Sequence, residues 1–501
     1  MQLNNLAGTQ VLVVGAGIMG VGIAQVAAQA GHMVWLQDTR PGAAAQAKDK
    51  LSETLAMLVS KGKLQPEAAA QTLARITPID ALEPAARAGL VVEAIVESLA
   101  AKRALFQQLE TLVTTHCILA TNTSSISVTA IANGLQEPSR LVGMHFFNPV
   151  PLMKLVEVVS GLQTAAVVAD AIFALCQQWG KVPVHARSTP GFIVNRIARP
   201  YYAESLALLQ EQATTPAELD ACWRGAGFRM GPCELMDLIG HDTNFAVTQS
   251  VFEANFYDKR YVPSLVQREM VDGGLLGRKS GRGFFFYGPG VAKPQVAEFE
   301  VPAFPAVRTL CLHGQGVVAD RLAAALGAAG QSFVRAQNSD WIGLEVDGHH
   351  LRLTDGRAAS FFGPQTAVFD LPLQARPGAV LAWAPSASAS PTWVAQASQC
   401  LQALDLDARQ MADVPGLVVA RTVAMLINEA SDAVHQGVCT AQGADDAMQL
   451  GVNYPAGPFQ WLAQWGAPAV VHLLDHLDVH YRGERYRVSP GLRHRVWQAA
   501  V

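Results

Sequence analysis

A glycine-rich segment near the N-terminus, VGAGIMGVGIAQVAAQAGHMVWLQD, most constrains how this chain can fold. Gly15, Gly17 and Gly20 have the spacing G-x-G-x-x-G. The aliphatic residues Val11–Val14 before them predict a strand, and the alanine-rich residues 18–30 after them have the rhythm of a helix. Because glycines in a strand–turn–helix unit let the backbone approach a pyrophosphate closely, the sequence predicts a dinucleotide site.

A second predicted strand, residues 33–37, leads directly to Asp38. A carboxylate at this distance from the glycines can accept both hydroxyls of an adenosine ribose and would repel a 2′-phosphate, which favours NAD over NADP. Arg40 instead favours NADP, since an arginine just past the acid can pair with that phosphate. FAD or an AMP-like ligand fits the same geometry.

Helices and strands continue to alternate after this unit. The predicted helices are 41–61 and 100–114, and the predicted strands are 90–96, 118–122 and 141–147. The alternation predicts an α/β fold, a Rossmann-type doubly wound sheet that is mostly parallel and carries helices on both faces. Ligands of such sheets bind at the carboxyl ends of the strands.

Polar clusters follow three of these predicted strands: Glu97, the run TNTSSIS at 121–127, and the run GMHFFNP at 143–149. A buried polar group without a partner costs about 1–3 kcal/mol, so three clusters at one sheet edge indicate a site rather than packing. Plainer roles stay open for two of their members. Ser124 and its neighbour can cap a helix that begins near residue 126, and His145 can be a core histidine satisfied by one hydrogen bond.

Five motifs in one order resemble the L-3-hydroxyacyl-CoA dehydrogenase family, in which a hydride passes between NAD and a 3-hydroxyacyl thioester. They are Asn122, Ser124, His145, FFNPVPLMKLVEVV (146–159) and TPGFIVNR (189–196). The resemblance extends to Tyr287, at the end of GRKSGRGFFFY. It implies a Rossmann domain to about residue 187, followed by an all-helical domain that closes over the active site.

Oxidation of a secondary alcohol needs a general base on the hydroxyl, and histidine suits that role near neutral pH. The family pattern gives the role to His145. Glu157 lies in KLVEVV, which alternates like a strand, so the two side chains can face each other on paired strands and the carboxylate can orient the imidazole. A purely structural pair is the alternative. The resemblance assigns Ser124 and Asn195 to the 3-oxygen of the substrate.

The resemblance also assigns residues to the two ligands. Those expected to bind NAD are Gly15, Gly17, Ile18, Met19, Gly20, Asp38, Glu97, Lys102, Asn122, Ser124 and Asn148. Thr54 and Lys61 fall where the family contacts coenzyme A. Two alternatives stay open: Lys102 as a solvated lysine near a helix start, and Lys61 as a cation favoured by a helix C-terminus.

Residues 189–240 recur as residues 414–466, which predicts that a helical unit has been duplicated. At the position of Asn195 the second copy has Ala420, which cannot donate a hydrogen bond, so we expect no second active site. Single-copy members of the family pair their helical domains across a dimer. The two copies are therefore expected to form an intrachain pseudo-dimer.

Between the copies, residues 308–330 again have the order strand, G-x-G, alanine-rich helix. The third glycine and a suitably placed acid are missing, so a degenerate α/β scaffold is favoured over a second NAD site. The predicted domains are a Rossmann domain (1–187), a first helical copy (188–290), a degenerate α/β segment (300–411) and a second helical copy (412–501).

Composition narrows the remaining classes. A net charge of −4 without long single-sign runs gives no reason to expect nucleic acid or a membrane surface as partner. No run of about 18 apolar residues is present, and the first ten residues lack a secretory leader, so we expect a soluble cytoplasmic protein. Seven cysteines without a C-x-x-C pair argue against disulfides and a zinc site, and no metal is expected.

The resemblance implies NAD-dependent, reversible oxidation of an (S)-3-hydroxyacyl-CoA to the 3-oxoacyl-CoA, with an acyl-CoA thioester as partner and a homo-oligomer as one outcome. The two-copy layout resembles enzymes acting on 3-hydroxyadipyl-CoA in phenylacetate degradation, or on 3-hydroxybutyryl-CoA. A dicarboxylyl chain would want a distal cation, for which Arg196, Arg199 and Arg229 are candidates. The competing classes are a non-catalytic NAD- or acyl-CoA-binding protein and a dehydrogenase of free hydroxy acids.

Overall fold

The computed structural model describes residues 6–288, 290, 300–374 and 376–499. Their contacts divide the chain into two compact units. The first contains the residues up to Arg196 together with Gln436–Val452, and the second contains Ile197–His435 and the residues from Asn453 onward. This division differs from the predicted domains, because part of the second helical copy belongs to the first unit. Residues 1–5 and 500–501, the outer ends of the predicted domains, lie outside the described residues.

The first unit is built on an eight-stranded sheet. Its strands are β1 (Val11–Val14), β2 (Val34–Gln37), β3 (Ile76–Ile79), β4 (Leu90–Glu93), β5 (Ile118–Thr121), β6 (Leu141–Phe146), β7 (Leu155–Ser160) and β8 (Val182–Arg187). Its first helices are α1 (Ile18–Gln29), α2 (Ala43–Ser60), α3 (Pro66–Ala74), α4 (Leu99–Leu112), α5 (Val128–Ala132), α6 (Ala166–Gln178) and α7 (Val194–Ile197), whose last residue belongs to the second unit. Short 3₁₀ turns lie at Glu83–Arg87 and Pro138–Arg140.

The strand order β3-β2-β1-β4-β5-β6-β7-β8 is parallel throughout except between β6 and β7. The expected mostly parallel sheet is therefore confirmed. One predicted strand is too long, since β4 ends at Glu93 rather than at residue 96. The sequence analysis did not predict α3, β3, α6 and β8. β3 carries a proline and the exposed residue Thr77, so its sequence lacks the aliphatic run of the central strands.

Helices cover both faces of this sheet. Val142 shares a core cluster with residues of α1, α2 and α6. Its neighbour Gly143 points to the opposite face, where an added Cβ would lie 3.2 Å from the Val128 side chain of α5. Burial on both faces explains why the central strands are continuous apolar runs rather than alternating ones.

The second unit contains a seven-stranded sheet and most of the helices. Its strands are β9 (Leu310–His313), β10 (Val334–Ala336), β11 (Gly343–Val346), β12 (His349–Leu353), β13 (Thr366–Phe369), β14 (Ala379–Pro385) and β15 (Leu406–Gln410). Its helices are α8 (Arg199–Gln210), α9 (Pro216–Gly225), α10 (Pro232–Ile239), α11 (His241–Ala254), α12 (Leu265–Asp272), α13 (Val317–Ala328), α14 (Ala359–Phe362), α15 (Pro391–Ala403), α16 (Val419–His435), α18 (Pro458–Trp465), α19 (Ala467–Tyr481) and α20 (Pro490–Ala499). The helix between α16 and α18, α17 (Ala441–Gly451), belongs to the first unit.

The second sheet has the order β10-β9-β11-β12-β13-β14-β15 and mixes parallel with antiparallel pairs. The predicted strand, G-x-G turn and helix of residues 308–330 are confirmed as β9 and α13. Gln337 follows β10 where Asp38 follows β2, which agrees with the expectation that no ribose-binding acid lies there.

Helix α17 packs on the first sheet. The backbone N–H of Arg187, at the end of β8, donates to the Val438 carbonyl at 2.9 Å. Gly451 lies against Leu155 of β7 so closely that a Cβ would approach its side chain to 2.7 Å. These contacts explain why residues 436–452 separate from the rest of the second helical copy.

The two helical copies contact each other within the second unit through buried charges. Glu204 of α8 accepts hydrogen bonds from Arg421 of α16 at 2.6 Å, from Arg485 at 3.0 Å and from the Tyr486 hydroxyl at 2.9 Å. Burial raises the pKa of Glu204, but Arg485 and Arg421 outweigh burial and hold it below the ordinary value. Glu204 therefore stays ionised.

The same arrangement recurs with the copies exchanged. Glu429 of α16 accepts from Arg260 at 3.0 Å and from the Tyr261 hydroxyl at 2.6 Å. An Arg–Tyr pair follows each glutamate at the same separation in sequence, and each pair binds the glutamate of the other copy. The chain thus contains the reciprocal contacts typical of a two-fold interface.

Among the described residues, no helix combines the length and the hydropathy needed to span a bilayer. All seven cysteines are free thiols. Within the described part of the chain, no group of three or more His, Cys, Asp or Glu side chains is arranged to hold a metal ion.

Replacement of Arg421 by alanine should lower the free energy of unfolding by about 3 kcal/mol, because it removes one partner of a buried ion pair. Chemical denaturation measures this loss. Arg268→Ala is the matched control, since Arg268 forms an ion pair with Asp272 in which both side chains are about half exposed. The control should unfold like the parent protein. Equal stability of all three proteins would show that the buried pair contributes nothing.

Candidate active site

The glycine turn has the conformation that a phosphate site needs. Gly15 has φ 105°, and a Cβ there would lie 2.4 Å from the Ala94 carbonyl oxygen. A Cβ at Gly20 would lie 1.8 Å from the Gly15 carbonyl oxygen, so this glycine lets α1 pack on the turn. Gly17 is the N-cap of α1, and a Cβ added there would have no atom within 4 Å. The backbone of the first turn of α1 is therefore accessible to an anion.

Ile18 and Met19 form the start of α1 beside this opening. The Ile18 side chain is 79% exposed and Met19 is half-buried.

Asp38 lies where the sequence places it, at the end of β2. Its Oδ2 accepts the Ala16 backbone N–H at 2.9 Å, and its Oδ1 accepts the backbone N–H and Nε of Arg40 at 3.0 and 3.1 Å. Burial raises the pKa of Asp38, but the hydrogen bonds from Arg40 and Ala16 outweigh it and hold the pKa below its ordinary value. Arg40 is therefore paired with Asp38, with its side chain 73% exposed.

Glu97 organises the TNTSSIS loop. Its Oε1 accepts from the hydroxyl of Thr123 at 2.6 Å, from the backbone N–H groups of Ser124 and Ser125 at 3.0 and 3.1 Å, and from the Ser125 hydroxyl at 2.9 Å. Burial raises its pKa, but Lys102 and these hydroxyls lower it to about 2. The helix-capping alternative for the two serines is wrong, because Ser127 caps α5, which begins at residue 128.

Lys102 is buried, with 1% of its side chain exposed. Its Nζ lies 2.6 Å from an oxygen of Glu93 and 3.2 Å from one of Glu97. The alternative of a solvated lysine is therefore wrong. Glu93, at the end of β4, was not singled out from the sequence, because it follows the aliphatic residues of a buried strand and has no motif of its own.

The two asparagines expected at the nicotinamide half lie at the same sheet edge. Asn122 follows β5, and its Oδ1 accepts the Phe146 backbone N–H at 2.9 Å, which joins the ends of β5 and β6. Asn148 is exposed and precedes the cis peptide bond to Pro149.

His145 and Glu157 face each other as predicted, since they are direct partners in the antiparallel register of β6 and β7. The imidazole Nδ1 lies 2.5 Å from Glu157 Oε2. His145 is 5% exposed, and its ring contacts the rings of Phe147 and Phe192. With Nδ1–H donated to a carboxylate, Nε2 has the lone pair of a base.

The second oxygen of Glu157 holds another part of the site. Its Oε1 accepts the backbone N–H groups of Ile193 and Val194 at 3.0 Å each, at the start of α7. Asn195 is the next residue on that helix and is half-buried. One fully buried carboxylate therefore fixes both the imidazole and the helix that carries Asn195.

The residues expected at coenzyme A lie on α2 and at its C-terminal end. Thr54 is exposed and donates its hydroxyl to the Lys50 carbonyl at 2.9 Å. Lys61 is exposed at the C-cap of α2, where a helix favours a cation. Its position is compatible with a contact to coenzyme A and with this helix-terminal role.

The candidate arginines for a distal carboxylate differ in environment. Arg196 and Arg199 are buried, and they donate to Gln436 and to the Thr248 hydroxyl, each at 2.9 Å. Arg229 is exposed.

These features define a Rossmann-type dehydrogenase site, and comparison with known proteins agrees. Residues 10–189 match the family model of the 3-hydroxyacyl-CoA dehydrogenase NAD binding domain, and residues 191–287 and 416–499 match that of its C-terminal domain. Residues 351–415 match the model of a 3-hydroxybutyryl-CoA dehydrogenase reduced Rossmann-fold domain.

Similar proteins extend over the whole chain. The 3-hydroxyadipyl-CoA dehydrogenase of Escherichia coli (strain K12) is 44% identical over 97% of both chains. The crystal structure of 3-hydroxybutyryl-CoA dehydrogenase from Escherichia coli K12 substr. MG1655 has a TM-score of 0.88 and 43% identity, over 98% of this chain and 99% of that one. A probable 3-hydroxybutyryl-CoA dehydrogenase of Bacillus subtilis (strain 168) is 41% identical over 56% of this chain and 97% of its own length.

The chain therefore belongs to the 3-hydroxyacyl-CoA dehydrogenase family. It has the bacterial two-repeat form, since the C-terminal domain model matches two separate stretches.

Asp38→Ala should weaken NADH binding and strengthen NADPH binding, because it removes the carboxylate expected to accept the ribose hydroxyls and releases Arg40 for the 2′-phosphate. A charged hydrogen bond contributes about 1.5–3 kcal/mol, so the ratio of the two affinities should shift by about tenfold to a hundredfold. Titrations that follow coenzyme fluorescence measure both affinities. Asp49→Ala, at an exposed acid of α2, is the control. An unchanged ratio in the Asp38 variant would refute the assignment.

Proposed function

We propose that this protein catalyses the NAD-dependent, reversible oxidation of (S)-3-hydroxyacyl-CoA thioesters to 3-oxoacyl-CoA. The observation that carries the proposal is the buried His145–Glu157 pair, with Nδ1 2.5 Å from the carboxylate, in a unit that also contains an accessible glycine turn. The glycine turn follows β1 and His145 lies near the end of β6, so both lie at the carboxyl edge of the parallel strands, where ligands of such sheets bind.

His145 acts as the general base. Its Nε2 takes the proton of the 3-hydroxyl group, and the imidazolium that forms is stabilised by the carboxylate of Glu157. Because Glu157 is fully buried and bound by two backbone N–H groups, it stays in place as the charge on the imidazole changes. The phenylalanine rings beside His145 limit the access of water.

Ser124 and Asn195 are proposed to bind the 3-oxygen of the substrate and so orient its carbon. Ser124 is positioned by Glu97, and Asn195 by the anchored start of α7. Bound NAD would supply the hydride acceptor for that carbon. The residues of the glycine turn fit its pyrophosphate, Asp38 fits the adenosine ribose, and Glu97, Lys102, Asn122 and Asn148 are assigned to its nicotinamide half.

We assign the site to the first unit alone. In the second copy, Gly416 and Leu417 repeat the left-handed conformations of Gly191 and Phe192. Asp370 accepts the first backbone N–H groups of α16, from Val418 to Ala420, as Glu157 does for α7. Since Ala420 replaces Asn195, this copy keeps the anchor without the group that would bind substrate.

The helical copies are proposed to act as the predicted intrachain pseudo-dimer, supported by the reciprocal contacts of Glu204 and Glu429. We keep the four predicted domains as the proposed domain division of the chain. A homo-oligomer is the proposed assembly. Thr54 and Lys61 are proposed to contact the nucleotide end of coenzyme A.

His145→Gln should lower kcat by about 10²- to 10⁴-fold, the usual share of general-base catalysis, and leave NADH affinity within a few-fold. The measurement is NADH formation from a 3-hydroxyacyl-CoA, with fluorescence titration of NADH. His185→Gln is the control, because His185 lies in the same unit and is 49% exposed. Turnover close to that of the parent protein in the His145 variant would remove this residue from its role.

Among acyl groups, we propose 3-hydroxyadipyl-CoA as the preferred substrate, supported by the full-length relative of that name. 3-Hydroxybutyryl-CoA is the second candidate, supported by the name of the full-length structural neighbour. Rates of NADH formation with both thioesters and with their free acids decide the matter. One charged contact to a distal carboxylate, about 1.5–3 kcal/mol, predicts a ten- to hundredfold higher kcat/KM for the adipyl thioester.

Equal values of kcat/KM for the two thioesters would contradict the adipyl preference. Faster oxidation of the free acids would instead show that coenzyme A is not recognised. NADH binding without turnover of any of these compounds would favour a non-catalytic binding protein.

A further inference from the structure

Glu93 is a buried charge that the mechanism above does not use. It lies at the last position of β4, and none of its surface is exposed. Its Oε1 accepts Lys102 Nζ at 2.6 Å and the Ile95 backbone N–H at 2.8 Å, and its Oε2 accepts the Thr121 hydroxyl at 2.6 Å. A buried carboxylate is costly unless it is paired and hydrogen-bonded, and Glu93 is both.

Two routes connect Glu93 to the loop that carries Ser124. In the first, Lys102 bridges Glu93 to Glu97, and Glu97 accepts the Ser124 backbone N–H at 3.0 Å. In the second, the Thr121 hydroxyl that binds Glu93 accepts the backbone N–H of Thr123 at 3.2 Å. Both routes end on adjacent residues of one loop.

We propose that Glu93 is a positioning residue for the dehydrogenase reaction, acting through Lys102 and Thr121 to fix the loop that presents Ser124. The proposal rests on the proposed function, since it takes Ser124 to bind the reacting oxygen. Lys102 lies between two carboxylates, so its bond to Glu93 holds the ammonium group within reach of Glu97. Glu93, a residue of the central strand β4, thereby fixes the position of the loop.

Glutamine at position 93 has the same shape but no charge. With glutamine at position 93, Lys102 keeps only the carboxylate of Glu97. The glutamine NH2 group would also replace one of the two oxygens that accept from Lys102 and Thr121. The loop should therefore loosen even when the fold persists. Because a misplacement of about 1 Å can cost about a hundredfold in rate, kcat should fall by about ten- to a hundredfold.

The first test follows the loop itself in the protein without coenzyme. Backbone amide hydrogen exchange of the segment 122–127 should be at least about tenfold faster in Glu93→Gln than in the parent protein. Glu110→Gln is the matched control, because Glu110 is an ion-paired acid of the same unit, with Arg140, that binds the backbone of residues 136 and 137 instead. The control should lose stability without a change in exchange at 122–127 or in kcat.

Unchanged exchange at 122–127 in the Glu93→Gln protein would overturn the proposal. Glu93→Asp keeps the charge but is one methylene shorter. It replaces the first variant if that protein does not fold, with the same faster exchange expected and the same contrary result.

The second test is a double-mutant cycle with Ser124→Ala. If Glu93 acts through Ser124, the double variant should have a kcat within about twofold of Ser124→Ala alone. Multiplication of the two single effects would show an independent, structural role and overturn the proposal. Failure of the proposed function looks different: the parent protein would then lack turnover of 3-hydroxyacyl-CoA, while the exchange result would stand.

Discussion

The carboxylate of Glu157 is the group on which the polar edge of the first sheet depends. One oxygen binds the imidazole of His145 and the other binds the first N–H groups of α7. The carboxylate therefore connects the imidazole on β6 to the helix that carries Asn195, and it does so with no exposed surface. A single buried charge whose two oxygens both accept hydrogen bonds gives the rigidity that a reacting geometry requires.

The duplicated half of the chain shows which part of this arrangement is structural. Asp370 anchors the start of α16 as Glu157 anchors α7, and left-handed residues precede both helices. The carboxylate at a helix start is therefore part of the fold itself, and the first unit adds His145 and Asn195 to it. The exchanged contacts of Glu204 and Glu429 give the second copy a different purpose, which is packing against the first.

Much of the first unit could be predicted because its signals are local. The G-x-G-x-x-G spacing identifies a strand–turn–helix unit, and the alternation in KLVEVV places Glu157 opposite His145 once the strands pair. Glu93 and the buried state of Lys102 were missed because both depend on which side chains meet across the sheet, and neither residue belongs to a motif. The position of α17 on the first sheet was also inaccessible, since it is set by packing between segments far apart in sequence.

The central claim, that Glu157 holds His145 with Nε2 free to accept a proton, is tested most directly by nitrogen NMR of the protein labelled with ¹⁵N-histidine, near neutral pH and without coenzyme. The spectrum of the His145→Gln variant identifies the resonances of His145. The account predicts that the neutral form of the ring is protonated on Nδ1, with Nε2 carrying the lone pair. A ring protonated on Nε2 with a free Nδ1 would contradict it.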